Sequence, residues 1–587
     1  MMFKPRTEEM LYVLTQVVQA ERLLQPMPAH AEVDADLMAQ LMEEAGKFVA
    51  SVIAPLNRTG DETGARWYDG AVTMPPGFRD AYQAFWQAGW PALAAAPEDG
   101  GQGLPAVLEA MLFEMLSAAN HAWTMAPDLL HGAYDCLKAH GTPELKDRYL
   151  GKLASGEWLP TMCLTEPQAG SDLGLVSTRA VVQADGSYRL SGSKIFISSG
   201  EHDLTDNIVH LVLARLPDAP SGPKGLSLFL VPKFLPDGSR SVVHCERIEE
   251  KMGLHGSATC VLRFEAATGW LIGESGRGLN AMFVMMNSAR LHVALQGIGL
   301  LEAAWQKADE YSRERRQMRA PGRKAAQARS GTGVASAADL ISEHPAMRRI
   351  LDSQRAWIDA GRVIAYRTAL ELDIAKQHPS SERREAAQRW CSLTTPILKA
   401  VFTQQAFYGG SECLQVFGGH GYVRESGIEQ HVRDARVTMI YEGSNEIQAI
   451  DLLVRKVLPD GGSVFDLWLD DLRSGLDPEQ PAQARLLARL AELQMHTHCL
   501  SRAAAQDDTL AHWVADDFLR AVALNLLDWA FAQVANTTEA ATLRWSAPAQ
   551  ALERWIMPEL AMRLGIIKAA TVRLPSALDL SAASIHP

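Results

Sequence analysis

A carboxylate flanked by a bulky aromatic and a glycine occurs at Tyr441-Glu442-Gly443, inside the string Ile440-Tyr441-Glu442-Gly443-Ser444-Asn445-Glu446-Ile447-Gln448. A glutamate in that setting is a candidate general base. Its ordinary pKa of about 4.3 is too low for abstracting a weakly acidic proton. The apolar neighbours Met439, Ile440 and Tyr441 motivate the expectation of a buried site, where burial against a bound ligand would raise that pKa toward neutrality and improve the match. A second string, Leu164-Thr165-Glu166-Pro167-Gln168-Ala169-Gly170-Ser171-Asp172, offers hydroxyls and backbone N–H groups on a Pro/Gly loop. The chain has 44 glycines but no Gly-x-Gly-x-x-Gly turn, no Walker A loop and no His-Glu-x-x-His. A dinucleotide bound here is therefore held by something other than the Rossmann turn.

Composition narrows the function classes. At 587 residues the chain is too long for one core and should divide into three or four domains. Its apolar share of 47% and charged share of 21% are ordinary for globular proteins. A net charge of -13 argues against nucleic acid as partner, because phosphate binding needs clustered cations. The seven cysteines contain no Cys-x-x-Cys pair, so neither a metal site nor a disulfide framework is indicated, and a cytoplasmic, reducing setting is expected. The N-terminus lacks a signal-type apolar core. No uncharged apolar run of about 18 residues is found, so a transmembrane helix is not expected.

The elements that must position these strings follow from periodicity. Met38-Leu41-Met42-Ala45 and Leu108-Met111-Leu112-Met115-Leu116 have helical apolar spacing. Residues 1–159 are accordingly expected to form an N-terminal α-helical domain. From residue 160 to 278 short β-rich runs alternate with turns, a spacing that fits a small antiparallel barrel or sandwich; of the two, an antiparallel β-barrel domain is expected. They include a hairpin at Arg179–Val182 and Tyr188–Leu190 and further strands near Ile208, Leu226, Ser241 and Cys260. Helical spacing returns over 279–458, with a long first helix to about Arg316, a loop at Arg319–Ala338, and a breaker at Pro459–Ser463. Residues 463–587 read as an additional helical domain. The fold class is thus α+β and multidomain.

Both opening strings, together with this helix–β–helix order, resemble the acyl-CoA dehydrogenase family of flavoproteins over roughly residues 40–457. The resemblance implies a four-helix bundle for 279–458 and FAD held between β-domain and bundle, with part of the cofactor reaching a second subunit. It implies that Met162, Leu164, Thr165, Gly170 and Ser171 line the flavin and pyrophosphate, with Ser171 also near the thioester ligand. In Ser193–Gly200 it assigns Phe196 to one flavin face, where the family more often has Trp, and Ser198 to the ring edge. Arg315 and Gln317 would meet the pyrophosphate of FAD, although Met318 replaces the usual Phe. Gln415, Gly418 and Gly419 form the glycine turn near the adenine-side phosphates, where a missing Cβ lets backbone approach. Ser444 completes the cofactor set. Asn287, Arg290, Tyr441 and Gly443 would contact substrate, with Asn287 standing where relatives carry an acid.

The implied reaction is α,β-dehydrogenation of an acyl-CoA thioester, with Glu442 removing the α-proton and flavin N5 accepting the β-hydride. Glu442 N–H would also help bind the thioester oxygen. The implied partners are an electron-transfer flavoprotein and a second copy of the chain in a homodimer. The N-terminal segment, the tail beyond Val457 and the strings Gly200–Thr205 and Lys251–Ser257 are similar to the longer bacterial branch, whose substrates include 3-(methylthio)propionyl-CoA and straight-chain acyl-CoAs. Three rival readings are an oxidase using O2, a nucleic-acid-binding relative, and membrane association through the C-terminal helices. Acidic residues in the tail, such as Asp466, Asp470 and Asp471, speak against the second. Apolar helix stripes that pack internally speak against the third.

Overall fold

The computed structural model describes residues 2–322, 338–538 and 542–571, apart from the side chains of Asn287 and Ser288. Most of the expected loop at Arg319–Ala338 therefore lies outside the described residues. The opening third is built on helices. Asp34 Oδ1 accepts from Leu37 N at 2.8 Å and starts the Ala35–Phe48 helix, which buries Met38, Met42 and Ala45. The Ala106–Thr124 helix is buried along almost its whole length, and its regular path breaks at Asn120 (φ -160°, ψ 86°). One short antiparallel hairpin, Arg66–Tyr68 with Ala71–Thr73, corrects the all-helical expectation. Its Asp69-Gly70 turn has positive φ at both residues (46° and 81°), the geometry that Asp-Gly favours.

Strands begin at Leu159–Cys163. Arg179–Val182 pairs with Tyr188–Ser198, which pairs with Thr259–Ile272, then Leu226–Pro232, then Ile208–Arg215. A single parallel bridge, Arg179 to Arg215, brings this path back to its start. Val243–Ile248 adds on to Thr259–Ile272. The expected wholly antiparallel order is corrected at two places, the Arg179 to Arg215 bridge and the pairing of the first strand. Leu159–Cys163 runs parallel to Ile208–Arg215, because a long crossover rather than a hairpin joins them.

Three long helices follow: Gly278–Ser312, Pro345–Gln377 and Ser381–Val416. The first stops at Ser312, short of the expected Arg316. Close crossing requires a glycine at 297, where a Cβ would stand 2.6 Å from Phe402 O. Glu302 accepts from Arg355 at 3.0 Å and Arg362 at 3.1 Å, and Arg362 also holds Glu114 at 2.7 Å. These buried charges are paired, which is what makes them tolerable inside the protein.

The tail supplies the helices Ser463–Arg473, Pro481–Ala504, Leu510–Ala535, Leu543–Ala551 and Pro558–Thr571. They share the main core. Trp390 of the Ser381–Val416 helix packs against Trp468 and Trp529, with ring centroids 6.2 and 5.3 Å apart. Leu510–Ala535 is long and apolar enough to cross a membrane by length and composition, with a mean hydropathy of 1.2, although Asp516, Asp517, Arg520 and Asp528 interrupt it. Yet 78% of its most apolar window is buried inside the protein.

Candidate active site

Glu442 lies between the Val437–Met439 turn and the Asn445–Ile450 helix. Its backbone is left-handed (φ 55°), and Gly443 follows at φ 83°. That conformation costs a residue bearing a Cβ about 1 kcal/mol or more, and such outliers gather at functional sites. The turn is braced by Gln448 Nε2, which donates to Glu442 O at 3.0 Å. A Cβ on residue 443 would come within 2.8 Å of the same nitrogen. Glycine is required there.

The Glu442 carboxylate oxygen Oε2 is shielded from solvent and has no hydrogen-bond partner. Burial pushes the group up to about 7. The charges of Arg290 and Lys399 pull the other way, and Asp128 adds to the rise. A carboxylate of this kind has a base's affinity for protons at neutral pH and an open lone pair to receive one. Tyr441 precedes Glu442 in the chain and is tied to a buried polar network. Its hydroxyl donates to Gln296 Oε1 at 2.5 Å, Gln296 Nε2 donates to Asp128 Oδ2 at 2.8 Å, and His292 Nδ1 stands 3.0 Å from Asp128 Oδ1. His121 Nε2 lies 3.4 Å from the same hydroxyl.

The other expected residues fall into distinct groups. Arg315, Gln317, Gln415, Gly418 and Gly419 all line one cavity of about 520 Å³. Tyr311 stacks on Phe417 at its wall, with centroids 4.3 Å apart. Backbone bonds from Ile341 N to Arg315 O (2.8 Å) and from Gln317 N to Asp339 O (3.0 Å) hold the Arg315–Gln317 segment in place. Gly418 has φ 57°, and a Cβ on Gly418 or Gly419 would meet nothing within 4 Å. A Cβ-free, open wall beside an exposed arginine fits a bulky phosphate-bearing cofactor.

On the β-domain, Thr165 O accepts from Ile195 N at 2.9 Å, next to Phe196. Phe196 occupies a bulge of the Tyr188–Ser198 strand, at φ 59°, and is 61% exposed. Met162 is half-buried at the end of Leu159–Cys163, Leu164 is buried, and Gly170 and Ser171 are exposed on the following turn. Ser198 is half-buried and paired with Thr259. None of these β-domain residues lines the cavity of Arg315 and Gly418. Ser444 stands at the N-cap position of the Asn445–Ile450 helix without a side-chain capping bond, and the Glu446 carboxyl is held low by its own backbone N–H and by the Ser444 hydroxyl. Arg290, expected as a substrate contact, is buried with Nη1 3.4 Å from Asp451 Oδ2 and reaches Glu442 only through its field. The Asn287 side chain lies outside the described residues.

Sequence reasoning missed several buried partners. Glu166, in the middle of the Leu164–Asp172 string, accepts from Lys194 Nζ at 2.8 Å, Thr178 Oγ1 at 2.6 Å and Ser177 N at 2.8 Å. Burial works to raise its pKa, but Lys194 and these donors hold it near 2. It anchors the loop as a structural anion. Lys399 was missed too, although an isolated lysine in Leu398-Lys399-Ala400-Val401 is the kind of signal a buried charge leaves.

Comparison with known proteins identifies the family. The models of the acyl-CoA dehydrogenase N-terminal, middle and C-terminal domains match residues 37–157, 161–267 and 323–457. The chain is 42% identical to 3-methylmercaptopropionyl-CoA dehydrogenase of Ruegeria pomeroyi, over 80% of this chain and 79% of that one. It is 34% identical to the broad-specificity linear acyl-CoA dehydrogenase FadE5 of Mycobacterium tuberculosis, over 78% of this chain and 76% of the relative. In fold it is similar to Caenorhabditis elegans ACDH-11 in complex with C11-CoA, with a TM-score of 0.75 at 21% identity, covering 91% and 89% of the two chains. The chain belongs to the acyl-CoA dehydrogenase family. It is accordingly an FAD-dependent oxidoreductase acting on acyl-CoA thioesters.

Proposed function

We infer that Glu442 is the base that removes the α-proton of a bound acyl-CoA, yielding the trans-2-enoyl thioester. The observation that carries this is the unpartnered, buried carboxylate oxygen on a left-handed turn, with its pKa lifted to about 7. When bound, FAD supplies the acceptor for the β-hydride. The chain's part is to bind, orient and exclude water. Glu442 N–H is the donor we assign to the thioester oxygen, and Gly443 gives the turn the freedom to present both groups. Tyr441, tied to Gln296, keeps water from the carboxylate.

Arg315, Gln317, Gln415, Gly418 and Gly419 are the residues we assign to the phosphate-bearing part of FAD, because one cavity gathers them. Met162, Leu164, Thr165, Gly170, Ser171, Phe196 and Ser198 are assigned to the flavin side, with Ser444 at the Glu442 turn. The cavity holds no β-domain residue, and an exposed Phe196 on the β-domain is a ring with no cover of its own. That separation supports a homodimer in which two copies complete each cofactor site. We read the returning strand path as a small barrel and the long helices as a four-helix bundle.

Gly419→Val is a direct probe of the cavity. Its side chain points into space where nothing stands within 4 Å, so the apoprotein should fold. The variant is expected to lose FAD affinity about tenfold or more, since a filled cradle forfeits phosphate contacts. Flavin retained per protomer after gel filtration reads this out.

For the substrate, the named relatives act on 3-methylmercaptopropionyl-CoA and on linear acyl-CoAs, and we place this chain's substrates among short to medium acyl thioesters of that kind. An electron-transfer flavoprotein is the proposed acceptor and the cytoplasm the proposed site of action, consistent with seven free cysteines. The test is an anaerobic titration with acyl-CoAs of increasing length. Bleaching of the flavin band is expected, with the best substrate giving the largest change at one equivalent. Unchanged colour with every thioester would overturn the reading, and stoichiometric O2 consumption without added acceptor would convert it to an oxidase.

A further inference from the structure

The turn that carries Glu442 is held from behind by a lysine. Lys399 lies mid-way along the Ser381–Val416 helix and has no solvent exposure. Its ammonium donates to Gly443 O at 2.7 Å and to Asn445 Oδ1 at 3.0 Å. Asn445 is fixed in turn to the same helix, with Nδ2 donating to Ala400 O at 2.9 Å and Oδ1 accepting from Thr403 Oγ1 at 3.2 Å. One helix thus grips residues on the C-terminal side of Glu442. A buried ammonium usually has a carboxylate at contact distance. Among the described residues, Lys399 forms no such ion pair, and its charge is stabilised through space by Glu442 and Glu446.

We propose that Lys399 is the positioning residue of the active site, fixing the left-handed Glu442 turn through Gly443 and Asn445 while its charge favours the Glu442 carboxylate. This rests on the reading of Glu442 as the base. Burial brings both groups toward neutrality, Lys399 down to about 7 and Glu442 up to about 7. The other groups acting on the carboxylate come from separate elements. Arg290, on the Gly278–Ser312 helix, acts with Lys399, and Asp128, at the Pro127–Leu129 turn, acts against it. For the lysine, Glu446 favours the ammonium and Arg290 disfavours it. Two sites coupled in this way titrate as a pair. The productive member is ammonium beside carboxylate, and it carries the same net charge as the unproductive amine beside carboxylic acid. The tether to Gly443 O and Asn445 Oδ1 favours the former, because an ammonium makes charge-assisted bonds to both oxygens that a neutral amine makes only more weakly.

Two substitutions separate tether from charge. Lys399→Gln keeps an amide donor and removes the charge. Asn445→Ala keeps the charge and removes half of the tether. For K399Q, kcat at pH 7 should fall about tenfold or more with KM changed less than about threefold, because the misplaced group acts in the transition state. Its acid-limb midpoint in kcat/KM should move up by about half a unit or more, since the favouring cation is gone. N445A should lower kcat and leave the midpoint where it is, and Lys399→Arg should restore the wild-type midpoint. A K399Q holoenzyme with an unmoved midpoint overturns the proposal. If K399Q loses flavin or aggregates, N445A decides alone, and a wild-type kcat there overturns it. E442Q is assayed alongside. Turnover in E442Q removes the base reading itself, whereas inactive E442Q beside an unaltered K399Q removes only the role of Lys399.

Discussion

Glu442→Gln is expected to purify with its full complement of FAD, bind acyl-CoA with near wild-type affinity, and turn over about 10²- to 10⁴-fold more slowly. The amide is nearly isosteric with the carboxyl group, so the left-handed turn and its brace from Gln448 to the backbone of residue 442 should survive. What the amide cannot do is accept the α-proton. The wild-type pH profile carries a second signature of the same group. A base works only when deprotonated, and burial sets its pKa at about 7. Wild-type kcat/KM should therefore rise with pH through about 6 to 8, on a limb belonging jointly to Glu442 and Lys399, and decline at higher pH once the Lys399 ammonium is lost. In E442Q the residual rate should be flat across that range. A normal rate in E442Q, or a wild-type limb centred near 4.5, would remove Glu442 from the role of base.

The sequence carried the local chemistry better than the long-range supports. Tyr441-Glu442-Gly443 was readable because an aromatic, an acid and a glycine in that order impose their own backbone and environment. Arg315, Gln415 and Gly419 were readable from resemblance, and they share one cavity although a hundred residues separate the first from the others. Lys399, Gln296, Asp128 and Glu166 were not read as supports. Each acts through a contact made by folding, as when Gln296 bridges Tyr441 and Asp128 from another helix. Periodicity also cannot see a parallel pairing across a crossover, so Leu159–Cys163 lacked a strand assignment until its partner Ile208–Arg215 was in place. The ligand role expected of Arg290 came from resemblance, and its pairing with Asp451 at 3.4 Å is a contact that only the fold makes.

Truncation after Val457 is expected to abolish soluble holoprotein rather than release a compact dehydrogenase core. The tail inserts Phe465, Trp468, Leu469 and Leu472 into the shared interior, all with no solvent exposure, and covers Trp390 of the Ser381–Val416 helix. Each large apolar side chain that loses such cover forfeits about 1.5–3 kcal/mol, and a few of them exceed a typical domain's net stability. Arg544 of the tail also grips Asp359 through both carboxylate oxygens, at 2.6 and 2.7 Å. The same reasoning predicts a graded result for Trp468→Ala. It should lower unfolding free energy by about 3–5 kcal/mol, seen as a lower Tm, while the folded fraction keeps its kcat because Trp468 is not among the residues placed at the Glu442 turn. The competing view gives the Leu510–Ala535 helix to a membrane. That view predicts that full-length protein floats with anionic lipid vesicles and that truncation yields a soluble enzyme. Seventy-eight per cent burial of its apolar window inside the protein predicts the reverse on both counts, since a helix already covered has little surface to offer to lipid. Soluble, flavin-loaded protein ending at Val457 would show that the tail is an appendage and not part of the core.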